Sequence, residues 1–143
     1  MGVTGRATPK PDRRKDMGAI QRFGLPVRDG VPASQAVEAD GWLFVAGQVP
    51  KNKQGEFVVG GIAEQARQAL DNLMMRLEQA GYAPEDVVKV NVWLDDPRDF
   101  AIFNRIYSQY FSVEHAPARV TVQAHMMNDF KVEIDCIAWK EPR

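Results

Sequence analysis

The 143-residue sequence has one cysteine, two histidines, no long apolar run and almost no net charge. Each scarcity excludes a class of protein. Cys136 alone cannot close an intrachain disulfide or supply a multi-cysteine zinc cluster, and it fits a reducing compartment. His115 and His125 stand in neither HxH nor HExxH spacing, so a His-rich metal centre is not expected. The longest aliphatic-aromatic run, Trp42 to Ala46, falls far short of the roughly 20 residues of a membrane span. No apolar signal core stands near the N-terminus. With 18 Lys+Arg against 19 Asp+Glu the net charge is -1, so no global positive field exists to hold a polyphosphate backbone. The expectation is a soluble, cytoplasmic protein with no nucleic-acid or membrane partner.

What is present is ordinary for a globular chain: 45% hydrophobic and 26% charged residues. At 16.0 kDa one domain is the default. Mass scaling lets such a chain bury about two-thirds of its surface, enough for a core without staples. Residues 1–16 carry five basic and two acidic side chains and almost nothing apolar. That composition cannot offset its ordering entropy, so residues 1–18 are expected to form a disordered basic tail before one domain at 19–143.

From Ala19 the pattern predicts structure. Strands are expected over Ala19–Leu25, Ser34–Ala39 and Trp42–Ala46, the last pair joined by an Asp40-Gly41 turn. Ile62, Ala66, Leu70, Leu73, Leu77 and Ala80 then recur at three- and four-residue steps, which predicts an amphipathic helix stopped by Gly81. Gly60-Gly61 reads as the turn leading into it, not as a phosphate-binding loop. Val88 to Leu94 alternates as a strand. Asp96-Pro97 opens a second helix with an aromatic stripe of Phe100, Phe103, Tyr107, Tyr110 and Phe111, read as core packing. Arg119–Ala124 and Lys131–Trp139 are the last strands. The order βββ-α-β-α-ββ predicts an α+β two-layer sandwich, a mixed sheet with two helices on one face.

The two last strands carry the chemistry. If they pair, Arg119, Thr121 and Gln123 meet Lys131, Glu133 and Asp135 on the face without helices, while Val120 and Val122 face the core. Ile137 and Trp139 also point to that open face, which therefore calls for a second subunit. Arg119 at the start of its strand suits a bidentate grip on a ligand carboxylate, and Glu133 suits proton transfer with water. A structural Arg119–Glu133 ion pair is the plainer reading of the same spacing. Cys136 reads as a packed thiol and His125 as an exposed loop residue.

Several segments together resemble the RidA/YjgF family of reactive intermediate deaminases, also labelled endoribonuclease L-PSP. They are Val45-Ala46-Gly47-Gln48-Val49, Gln65 to Leu73, Asp99-Phe100 with Asn104 and Tyr107, Pro117-Ala118-Arg119, and Val132-Glu133-Ile134. The resemblance spans residues 30–140. It implies a chorismate-mutase-like fold and a homotrimer with active sites between subunits. It also implies hydrolysis of enamines and imines such as 2-aminoacrylate to 2-oxo acids and ammonia, without metal or cofactor. Arg119 matches the arginine that holds the substrate carboxylate, Glu133 the glutamate beside the hydrolytic water, and Asn104 a pocket asparagine; Gly47 matches the pocket turn. Ala46 stands where serine is usual, Ala33 near a usual tyrosine, and Thr121 where cysteine is common. The loop His125 to Phe130 is one residue shorter than in typical relatives. These departures point to a bulkier enamine such as 2-aminomuconate as an alternative substrate, and a non-catalytic binding or protein-protecting trimer is the alternative of another class.

Overall fold

The computed structural model describes residues 2, 5, 19–24 and 30–142. The basic segment 1–18, apart from Gly2 and Gly5, and Leu25 of the first expected strand lie outside the described residues. The strands are β1 (Gln21–Phe23), β2 (Ala36–Ala39), β3 (Trp42–Gln48), β4 (Val87–Leu94), β5 (Ala118–Gln123) and β6 (Val132–Trp139). Helix α1 (Ile62–Gln79) joins β3 to β4, and α2 (Phe100–Tyr107) joins β4 to β5. All six strands form one mixed sheet, ordered β1-β2-β3-β6-β4-β5.

Local chemistry sets the helix ends as expected. The Glu64 carboxylate accepts from the Gly61 amide at 3.0 Å, so the glycine pair is a capped turn. At the far end Gly81 sits at φ +80, its amide donating to Glu78 and that of Tyr82 to Leu77, both at 2.9 Å. This left-handed stop needs glycine. Asp96 accepts from the Arg98 amide at 2.9 Å, and Pro97 opens a 3-10 turn that runs into α2. Helix α2 is shorter than its aromatic stripe, and Tyr110 and Phe111 lie past its end.

The core lies between the helices and one sheet face. Ala66, Ala69, Leu70, Leu73 and Phe103 meet Leu43, Val90, Val92, Ile134 and Cys136, all essentially inaccessible. The alanines let α1 lie close to the sheet. Burial pushes the Cys136 thiol up to about 12, as a packed thiol requires.

The expected pairing of the last two strands is wrong. Strand β4 lies between them, parallel to β5 and antiparallel to β6. Val90 stands opposite both Arg119 and Cys136, and Val92 opposite both Thr121 and Ile134. Residues directly opposite share a face, so Arg119 and Thr121 point toward the helices. Val120 and Val122 point the other way, aligned with Asn91, Trp93, Glu133 and Asp135. On that open face Trp42, Phe44, Val120, Val122 and Trp139 are each 41–47% exposed. The open face is therefore apolar as well as exposed.

Candidate active site in two halves

The first half lies under α2 at the β5 edge of the sheet. Residues 100, 103, 104 and 107 fall on one side of that helix, and this side meets Arg119. The guanidinium donates to Asn104 Oδ1 at 2.6 Å. It lies 4.6 Å from the Tyr107 ring centre, 5.5 Å from Phe103 and 5.9 Å from Phe100. Tyr107 in turn stacks on Phe111 at 4.8 Å. The aromatic stripe is therefore only partly core: Phe103 and Phe111 are buried, whereas Phe100 is exposed and walls the arginine. Among the described residues no carboxylate lies within 4.0 Å of Arg119. Its charge is steadied by a neutral amide and by ring faces alone. The Tyr107 hydroxyl and Thr121 Oγ1 are buried without a hydrogen-bond partner among the described residues. Burial pushes the Tyr107 hydroxyl up to about 12 against the opposing pull of the Arg119 charge.

The second half lies on the open face. Val45 opposes Cys136 and Gln48 opposes Ile134, so Ala46 and Gly47 together face Asp135 in a bulge. A Cβ on Gly47 would come 2.8 Å from Glu133 Cδ. Glycine is thus what lets the Glu133 carboxylate lie against the bulge. Burial, then the neighbouring Asp135, raises the Glu133 pKa above the usual carboxylate range. Asp135 itself accepts from the Asn91 amide at 2.8 Å. Ala46 anchors the bulge, its amide donating to the Gln35 carbonyl at 2.9 Å and its carbonyl accepting from Gln48 Nε2 at 2.9 Å.

Arg119 and Glu133 thus lie on opposite sheet faces, not on the shared open face expected, and form no ion pair with each other. Two strand spacings and three residues of stagger separate their Cα atoms by about 14 Å. Asn104 and Thr121 accompany Arg119, and Ala46 and Gly47 accompany Glu133. Residue patterning missed the aromatic walls of Arg119 and the buried Gln48. The spacing of Phe100, Phe103 and Tyr107 carries a signal for the first, but spacing within a helix does not say which strand it meets. His125 is exposed, 3.6 Å from Asp95. Among the described residues no group of three or more His, Cys, Asp or Glu is arranged to hold a metal.

Residues 30–140 match the family described as Endoribonuclease L-PSP. The chain is 48% identical over 112 residues to a RutC family protein of Pyrococcus horikoshii, covering 77% of this chain and 88% of that one. It is 38% identical over 110 residues to the 2-iminobutanoate/2-iminopropanoate deaminase of Escherichia coli, covering 75% and 86%. A solved member of the conserved Rid protein family from Yersinia pestis superposes with TM-score 0.78 at 33% identity, covering 85% of this chain and all of that one.

Proposed function

The chain belongs to the Endoribonuclease L-PSP family, the RidA/YjgF family that its motifs resemble, and on that premise we propose that it hydrolyses reactive enamines and imines to 2-oxo acids and ammonia. The observation that carries the reading is the Arg119 guanidinium, fixed by Asn104 and aromatic rings with no acid among the described residues to neutralise it. A cation held by neutral groups is prepared for an anion from outside, and its fork fits a carboxylate.

The chemistry needs little more. An enamine tautomerises to an imine, whose carbon accepts water. Glu133 takes a proton from that water as the C–O bond forms and passes it to nitrogen, giving a carbinolamine; it then takes the carbinolamine's hydroxyl proton as C=O forms and passes it to nitrogen as the C–N bond breaks. The products are a 2-oxo acid and ammonia, and the carboxylate regenerates. Its raised pKa brings Glu133 closer to the working range of a general base. Arg119 compensates the substrate charge and fixes its carbon beside the water.

Because the halves lie on opposite faces of one sheet, we infer that Arg119 of one copy works with Glu133 of another in a homotrimer. The exposed tryptophans, phenylalanine and valines of the open face are the surface that such an assembly buries. Ala46 stands where serine is usual in the family and Ala33 near a usual tyrosine, which supports a bulkier enamine such as 2-aminomuconate as a second reading.

The test is a panel of enamines, from 2-aminoacrylate to 2-aminomuconate, followed for ammonia release above the spontaneous rate, with Arg119→Ala as control. Acceleration lost in the control is expected. Binding without acceleration of any enamine would favour the non-catalytic trimer. If Ala46→Ser raises activity on small substrates without lowering it on 2-aminomuconate, the enlarged-pocket reading fails.

A further inference from the structure

A groove of about 1120 Å³ runs between the loop after β3 and the polar flank of α1, away from Arg119. Its lining is dominated by amides and by three cations, Lys51, Lys53 and Arg76. The one carboxylate in the lining, Asp71, already accepts from the Tyr110 hydroxyl at 2.7 Å. A basic groove on a chain of net charge -1 is a local concentration of charge, not a reflection of composition.

Arg76 is its best-defined member. The side chain is half-buried, desolvation lowers its pKa, and among the described residues no carboxylate lies within 4.0 Å. Its Nε faces Gln48 Oε1 at 3.4 Å and its Nη1 donates to Gln79 at 3.2 Å. Gln48 is 4% exposed, and its Nε2 is spent on Gln35 and on the Ala46 carbonyl. Its oxygen must therefore turn to the arginine, which aims the guanidinium. Nη2 makes no bond among the described residues. The opposite wall is tied to the same helix, because Asn72 Nδ2 donates to the carbonyls of Val49 and Lys51 at 2.9 Å each. The Asn52 side chain accepts from the amides of Gln54 and Glu56 at 3.0 Å and holds the lysine-bearing loop in shape. The cations are presented by a braced frame, and a partly desolvated guanidinium without an acid leaves its charge uncompensated.

We propose that this groove is a second ligand site, which binds the phosphate group of a small hydroxylated ester between Arg76 and the Lys51–Lys53 loop. Lys51 Nζ lies 5.0 Å from the Phe57 ring centre and keeps its charge there; a dianion answers three cations lining one groove better than a monocarboxylate does, and side-chain amides of the lining pair with hydroxyls. Gly47 of the second half-site also lines this groove, but none of its three cations belongs to either half, so the proposal does not rest on the deaminase reading.

Calorimetric titration of the whole protein with ribose 5-phosphate, inorganic phosphate and pyruvate tests it. Ribose 5-phosphate is expected to bind wild type and Arg119→Ala alike, more tightly than phosphate, with pyruvate weaker than either. Arg76→Met is expected to weaken it about tenfold, the loss of one charge-assisted contact. No binding to wild type, equal binding to Arg76→Met, or loss of binding in Arg119→Ala overturns the proposal. Binding no tighter than that of phosphate overturns the ester assignment. Should Arg76→Met fail to fold, Lys51→Gln with Lys53→Gln on the loop is expected to weaken binding at least threefold, and unchanged affinity overturns the site.

Discussion

Arg119 combines a permanent charge with partners that cannot cancel it, and each partner can be removed separately. Arg119→Lys keeps the charge but loses the planar fork and the stacking. We expect kcat/KM for 2-aminoacrylate to fall about a hundredfold, with the melting temperature close to wild type. Tyr107→Phe keeps the ring on the guanidinium and deletes a buried hydroxyl without a partner. Removing such a group relieves a desolvation cost, so the melting temperature is expected to hold or rise. A clear fall would show that the hydroxyl is satisfied after all. Glu133 gives a pH signature. Its folded pKa is raised, so its contribution to stability is fullest below the ordinary carboxylate value and is lost as pH rises through the raised one. Activity runs oppositely, rising over the same interval as the base ionises. Glu133→Gln should abolish that activity limb and flatten the stability change, read from pH-rate profiles and melts. Among single residues, Arg119, Glu133, Gly47 and Asn104 stand out as candidates because motifs carry them. Phe100 was not, because an aromatic at helical spacing is ordinarily core.

The bulge in β3 and the edge position of β5 decide where those residues act. Gly47→Ala places a methyl where the Glu133 carboxylate lies, and that carboxylate is the movable partner. The expected result is an intact fold with kcat reduced at least tenfold and KM changed less, since Arg119 remains to hold the acid. Loss of folding, or no change in kcat, would separate the bulge from the chemistry. Helix ends were readable from Gly61, Gly81 and Asp96-Pro97, whose roles are set by local backbone needs. Strand pairing was not. A parallel neighbour such as β4 is joined through a helix, and nothing local in residues 118–123 announces it. The alternation in β5 by itself predicts Val120 and Val122 inward, because apolar residues usually face the helices. Here the open face is apolar as well, so hydrophobicity could not choose between the two sides.

At the scale of the molecule, the sheet places Arg119 and Glu133 on opposite faces, so the proposed reaction needs a second copy to bring them together. The open face is the test of that need. Phe44→Asp puts a charge at its centre and should dissociate the assembly and remove activity, with a helical circular dichroism signal that persists. The layered architecture could be read from residue periodicity, and Ile137 and Trp139 on an otherwise polar open face pointed to a partner. The division of the site between faces could not, since it depends on the sheet order. The most direct measurement is complementation between two inactive variants, Arg119→Ala and Glu133→Gln, unfolded together and refolded as mixed trimers. Random mixing should restore about a quarter of wild-type activity, because each seam then has one chance in four of pairing an intact arginine with an intact glutamate. Mixed trimers as inactive as either parent would mean that one chain supplies both groups, and would contradict the account.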